Sequence, residues 1–333
     1  MPEYFKVKEN SLKKWMVAMA KICESDVPLD AKTQVTTHEE LAKREKNVYW
    51  ANKKWSARIL NSFLQRFGND QIMRALDKQF APKITAEYLV PFLQIFAKVL
   101  LKRQAQFTTE KYAEMAARYC YYSINFNKTL FLSLNNHLEE LLFDAFLPLV
   151  YLNITDLYNW KYDPMEFVHR QEDSSSRSLR SQGIATISAT CKKTAPDQED
   201  YLLKFKNFAQ IVLSKGENPR TGQKVDDIMI EAALECVGNL EYQISCSQNI
   251  RKQMEFFLES CVIPYFNSEN GFIRAATCRV FGYYGNIKFE NFDNLLKIIN
   301  GIFKCLLDKE LPVRVYVSFY HKTPNQFMFY FID

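Results

Sequence analysis

Glycine is scarce in this 333-residue chain, at 9 residues, and proline is modest at 11. A many-stranded β fold needs more turn-formers than that. There is no CxxC, no Gly-rich phosphate loop, no GxSxG elbow and no HExxH helix, so the common signatures of metal, nucleotide and hydrolytic chemistry are missing. The four histidines, His38, His137, His169 and His321, are far apart, and His137 with Glu140 reads as a solvated i, i+3 pair rather than a metal site. No segment reaches the ~18 uncharged residues of a membrane span, and the chain opens on charged residues without an apolar signal core. These absences point away from an enzyme, from a cofactor-binding protein and from membrane insertion.

Charge of either sign is not in excess. The 43 Lys and Arg against 38 Asp and Glu leave a net charge of +5. No run of basic residues with interleaved aromatics appears, and Lys53-Lys54 and Lys192-Lys193 are isolated pairs, which argues against direct nucleic-acid binding. The eight cysteines are widely spaced in apolar stretches, the pattern of reduced core thiols in the cytosol or nucleus, with Cys261 and Cys278 expected to touch across a hairpin.

What the chain does have is hydrophobic residues, 47% of the total, arranged at helical spacing. One amphipathic segment follows another, most of them ~12–20 residues long. The first, Ser11 to Glu24, places Leu12, Trp15, Met16, Met19 and Cys23 on one face. A polar loop is expected over about 25–47. From Val48 a helix carries Trp55, Ile59, Leu60, Phe63, Leu64 and Phe67 on its apolar stripe, and Gly68 is expected to end it in the left-handed conformation. Further helices are expected near Ile84 to Lys102, Thr108 to Phe126, Lys128 to Leu152 and Ser174 to Thr194. The series goes on with Asp197 to Ser214, where Asp197 is the expected cap, and then Lys224 to Gln243, Ile250 to Phe266, Phe272 to Asn286 and Phe289 to Leu307.

Roughly a dozen helices joined by short turns suit an all-α fold, an α-solenoid of HEAT-type antiparallel pairs, better than a single bundle. A faint repeat supports this. "SENGFIRAATC", Ser268 to Cys278, and "DKELPVRV", Asp308 to Val315, share a polar turn, a hydrophobic residue and an arginine, about 40 residues apart. Arg274, Asp308 and Arg314 are therefore read as structural repeat residues. Residues 1–315 form the expected solenoid. Residues 316–333 are aromatic, contain Pro324, lack helical period, and are expected to be a poorly ordered tail.

Three stretches carry a resemblance to a known family: "WANKKWSARILNSFLQRFG" (Trp50 to Gly68), "WKYDPMEFVHRQED" (Trp160 to Asp173), and "QMEFFLESCVIPYFNSENGFIRAATCRVFGYYGNIKF" (Gln253 to Phe289) followed by "LLDKELPVRV". In order and spacing they resemble the middle portion of the importin seven/eight branch of the importin-β (karyopherin) family. His169 stands where the family pattern has arginine. The resemblance implies a nuclear transport receptor that carries protein cargo, such as ribosomal proteins or histones, past FG nucleoporins, moving between cytoplasm, nuclear pore and nucleus. The family's Ran GTPase partner is expected to bind weakly or not at all, because the repeats that hold it have no counterpart here. An export receptor or a general HEAT scaffold is the alternative.

On that reading the candidate protein-binding residues are Trp50, Lys53, Lys54, Arg58, Asp163 and Glu166. Trp50 is the better candidate for an exposed contact with a nucleoporin phenylalanine, while Trp55 reads as interhelical core. Lys53, Lys54 and Arg58 would meet acidic partner surfaces or simply be solvated. Asp163 and Glu166 would anchor basic cargo, or start a helix with Pro164 at its first position.

Overall fold

The computed structural model describes residues 3–70, 80–172, 178–193, 200–285, 287 and 289–320. Among them there is no strand, and Glu217 forms an isolated antiparallel bridge with Lys224. The fold is all-α. The chain divides into two compact units, Met1–Leu149 with Arg177–Thr190, and Val150–Ser176 with Cys191–Asp333.

Unit 1 is built on α1 (Glu3–Glu24), α2 (Val48–Phe67), α3 (Val90–Lys102), α4 (Glu110–Phe126) and α5 (Lys128–Leu134). α1 packs on α2 and α3, and α4 packs on α2, α3 and α5. The core is apolar and aromatic, with Leu60, Leu64, Leu93, Phe96, Tyr112 and Tyr119 buried. α1 buries Met16, Met19 and Cys23, but Trp15 is 66% exposed, so the sequence-based face was set too wide. The polar stretch before α2 is not all loop. It contains short helices at Leu29–Lys32 and His38–Glu45, the second started by Thr37, whose hydroxyl accepts from Glu40 N at 3.2 Å. The expected long helix from Lys128 is broken after Leu134 into short 3-10, α and π turns that end at Leu149 around Pro148.

α2 starts at Asn47, whose side chain accepts from Tyr49 N at 3.0 Å. It stops at Gly68, but not in the expected left-handed form: Gly68 has φ −108°. What the site needs is space. A Cβ there would lie 2.7 Å from the carbonyl oxygen of Leu64 and 3.1 Å from Leu89 Cδ1. The Gly68 carbonyl accepts from Asn127 Nδ2 at 2.8 Å.

Two stretches, Pro82–Lys102 and Lys128–Tyr162, are long and apolar enough to cross a membrane by length and composition. Core helices meet the same test, and 44% and 67% of their most apolar windows are buried in the fold. In the first, Phe92, Leu93, Phe96 and Leu100 are all internal.

α6 (Ile154–Tyr162) and α7 (Pro164–Glu172) belong to unit 2, whereas α8 (Leu179–Cys191) falls almost wholly in unit 1. The rest of unit 2 is a series of pairs: α9 (Tyr201–Lys215) with α10 (Asp227–Asn239), α11 (Met254–Cys261) with α12 (Gly271–Tyr283), and α13 (Phe292–Leu306) with α14 (Leu311–Tyr320). The second helices begin at Asp227, Gly271 and Leu311, a period of about 40 residues in the HEAT range. α10 packs on α12 and α12 on α14, so they form one row; α7 also packs on α14.

The α9 cap observed is Asp200, whose carboxylate accepts from Leu202 N and Leu203 N, while Asp197 lies outside the described residues. α9 ends at Gly216, which is left-handed at φ 65°. Cys278 shares a hydrogen bond with Cys305 from the next helix, and that contact together with burial pushes its thiol up. α14 runs past 315 to Tyr320, with Tyr316 and Val317 buried, so the start of the segment set apart as a tail is helical; residues 321–333 lie outside the described residues.

Candidate protein-binding surfaces

α2 is two-faced, and its register decides which candidates can meet a partner. The buried stripe is Trp50, Lys53, Ser56, Ala57, Leu60, Asn61 and Leu64. Trp50 is only 5% exposed, and its indole Nε1 donates to the Ala31 carbonyl at 2.9 Å. Its ring stands edge-on to Phe107 at 5.9 Å and lies 6.0 Å from Tyr112. Trp50 is thus an internal strut, contrary to the expectation of an exposed contact. The reason is positional: Trp50 shares a face with Ala57 and Leu64, one and two heptads on, and hydropathy alone does not fix which edge of a stripe is innermost.

Lys53 is also internal, at 5% exposure. Its ammonium donates to the carbonyls of Ile22, Cys23 and Ser25 at 3.1, 2.7 and 2.6 Å, and so answers the open end of α1. Burial lowers its pKa. The same burial pushes the Cys23 thiol up to about 11, and Tyr112 hydroxyl donates to the Cys23 carbonyl at 3.1 Å. Beside these residues lies a cavity of about 390 Å³, with Val27, Trp50, Phe107 and Tyr112 in its wall and Lys98 and Lys102 on its lining.

The opposite face of α2 is open. Trp55 is 52% exposed and Ile59 53%, a correction to the reading of Trp55 as core. Lys54 Nζ lies 5.2 Å and the Arg58 guanidinium 5.1 Å from the Trp55 ring centre, both within cation–π range. An exposed indole between two cations, next to an exposed isoleucine, offers an apolar contact and positive charge in one place.

In unit 2, Asp163 and Glu166 are both exposed. Asp163 Oδ1 accepts from Glu166 N at 3.1 Å, with Pro164 at the first helical position, so the pair starts α7 whatever else it does. α6 and α7 are tied to the row of second helices. Trp160 Nε1 donates to Glu310 at 2.5 Å and its ring stands edge-on to Phe167 and Phe272, while Glu172 pairs with Arg279 at 3.1 Å. Arg279 also pairs with Glu235 of α10 at 2.6 Å and lies 4.2 Å over the ring of Tyr316 of α14, linking three helices of the row.

Arg274 is a second link. Its Nε and Nη2 donate to Asp308 at 2.6 and 2.8 Å, and its Nη1 to the carbonyls of Ser268 and Glu269 at 2.8 and 3.0 Å. Asp308 in turn accepts from Glu310 N at 2.9 Å at the start of α14, and its carbonyl accepts from Arg314 at 2.5 Å. Burial, the largest single influence, would raise the Asp308 carboxyl, but the hydrogen bonds from Arg274 and from Glu310 N, together with the charges of Arg274 and Lys309, hold the group below its ordinary value. The sequence offered no signal for Arg279, Glu235 and Glu172, because their contacts span 44 and 107 residues. Among the described residues no group of three or more His, Cys, Asp or Glu is placed to hold a metal ion.

Stacked helix pairs, a row of second helices cross-linked by arginines and an open aromatic face define the class: an all-α, HEAT-type helical-repeat protein. No family model matches the chain. Among curated proteins it is similar to the importin beta-like SAD2 homolog of Arabidopsis thaliana, 27% identical over 311 residues, which is 92% of this chain and 29% of that protein. It is also similar to importin-8 of Homo sapiens, 24% identical over 93% of this chain and 28% of the relative, and to the probable importin-7 homolog of Dictyostelium discoideum, 25% identical over 81% and 26%. The chain thus matches importin-β family proteins along most of its length, at low identity, and spans under a third of the length of each of these three. A solved engineered protein aligns over 91% of the chain, but its 11% identity and TM-score of 0.31 carry no argument.

Proposed function

We propose that this chain is part of a nuclear transport receptor that binds protein cargo and FG nucleoporins by surface complementarity, without covalent chemistry. The observation that carries the reading is the likeness to importin proteins through 92% and 93% of the chain. The open face of α2 gives such binding a place. A phenylalanine or aliphatic side chain packs on Trp55 and Ile59, and acidic neighbours in the partner meet Lys54 and Arg58. Basic cargo such as ribosomal proteins or histones is drawn instead to exposed Asp163 and Glu166. The carrier shuttles between cytoplasm and nucleus, and Ran-GTP binds weakly or not at all to this segment.

The test uses the immobilised chain, an FG-repeat nucleoporin fragment and purified histones. Both partners are retained, Trp55→Ala lowers retention of the FG fragment by about tenfold, on the scale of one exposed aromatic anchor, and D163K/E166K lowers retention of histones. Failure to retain either partner overturns the reading. Tight Ran-GTP binding would overturn its GTPase part.

A further inference from the structure

The 390 Å³ cavity beside Lys53 is an apolar socket with charge in its lining. Its wall is drawn from separate parts of the chain: Val27 after α1, Trp50 of α2, Ile95 and Val99 of α3, and Phe107 and Tyr112 around the start of α4. It therefore lies among the packed helices of unit 1 and not on the outer face of a terminal helix. The wall is fixed without an occupant, since the Trp50 indole is tied to the Ala31 carbonyl and the Tyr112 hydroxyl to that of Cys23. The charges are unevenly answered. Glu24 and Asp26 enter the lining from the end of α1, Lys98 and Lys102 from α3. Lys53 uses all three of its donors on carbonyls. Burial disfavours its charge, and Asp26 and Glu24 are among the groups that offset this. Lys98 and Lys102 are left over: both are exposed, one helical turn apart, and among the described residues neither meets a carboxylate.

We propose that this socket takes an extended acidic segment of a partner protein, anchored by one large apolar side chain with carboxylates at alternate positions beside it. The volume fits the anchor. At about 30 Å³ per water-sized group there is room for about a dozen non-hydrogen atoms, so an indole or a leucine with some of its backbone fills the space. Spacing and sign fit the acids. Side chains four apart on a helix stand about 6 Å from one another, and those two apart on an extended chain about 6.6 Å, so successive same-face carboxylates meet Lys98 and Lys102 together. The acid requirement sets this partner apart from both partners of the transport reading, basic cargo and FG repeats, and the inference does not depend on that reading.

The probe is a fluorescein-labelled peptide, Ser-Glu-Ser-Glu-Ser-Trp-Ser-Glu-Ser-Glu-Ser, titrated with the full chain and read by fluorescence anisotropy. Binding is expected to saturate with a Kd in the tens of micromolar, roughly the strength of one anchor and two exposed ion pairs. Replacing the peptide's tryptophan by serine, or its glutamates by glutamine, weakens binding by about tenfold or more. In the chain, K98E/K102E does the same without moving the melting temperature, because both lysines are exposed, and it gains binding to a peptide with lysine in place of glutamate. K128E/K161E changes net charge equally at exposed positions outside the cavity and leaves binding intact. Val99→Trp fills the socket and abolishes binding while circular dichroism stays native. No saturable binding below about 1 mM, equal binding of the glutamine peptide, or as much loss in K128E/K161E as in K98E/K102E would each overturn the proposal. Displacement of the peptide by an FG-repeat fragment would assign the socket to nucleoporins and overturn it as well.

Discussion

Replacing Arg274 by methionine tests the account of how the last two helix pairs are joined. The variant keeps the length of the side chain and removes its charge and all of its donors. In the native protein Arg274 and Asp308 have side chains only 8% exposed, and the guanidinium makes two bonds to the carboxylate, two to the Ser268 and Glu269 carbonyls and one to Glu310 at 3.2 Å. Methionine leaves Asp308 charged, buried and unpaired, and both carbonyls short of a partner. Breaking one side of a buried pair costs about 3–5 kcal/mol. Arg274→Lys retains charge but not the fork, and falls between, at about 2 kcal/mol. Urea denaturation followed by circular dichroism reads the loss in the transition that reports unit 2. The double variant R274M/D308N should be less destabilised than R274M alone, because the neutral amide no longer needs a cation. The sign of the pH effect follows: Asp308 is held below its ordinary pKa when folded, so its contribution is complete above the unfolded value and is lost as pH falls through the folded one. R274M should lose that acid-side dependence. A destabilisation under about 1 kcal/mol, or a pH dependence equal to the native chain's, would refute the reasoning.

Lys53→Met strips three carbonyls at the end of α1 of their donor and should lower unit 1 stability by about 2–3 kcal/mol in urea melts, whereas Lys54→Met, on the open side of the same helix, changes it by less than about 0.5. Gly68→Ala forces a Cβ towards the Leu64 carbonyl and should cost about 1–3 kcal/mol; Gly216→Ala, in open space but at φ 65°, should cost about 1 kcal/mol, both measured by thermal melting. Trp55→Ala leaves the melting temperature within about a degree, because the indole is half exposed, while Trp50→Ala lowers it by many degrees through loss of the Ala31 hydrogen bond and two ring contacts.

The α-helical class was legible because it depends on local periodicity. α2 and α10 follow from apolar spacing at the helical period. The turns before Arg274 and Arg314 were legible because the same motif occurs in both, about 40 residues apart. Positions within a stripe were less so. Trp50 and Trp55 are five residues apart on one helix, the same residue type with a pair of lysines between them. Trp50 shares a face with Ala57 and Leu64, and contacts with Phe107 and Tyr112 on other elements fix that edge of the stripe as the inner one.

Sequence by itself determined the all-α composition, the repeat period, the likeness to importin proteins and the absence of common catalytic motifs, since each is written in local spacing or in residue type. Tertiary structure alone decided that Lys53 closes α1 rather than meeting a partner, that Gly68 serves by its small size and not by a left-handed turn, and that Arg279 gathers Glu172, Glu235 and Tyr316. The reason is physical. A buried charge is tolerated only where distant groups converge on it, and convergence across 30 to 107 residues depends on how helices stack, which the period of any single helix does not contain.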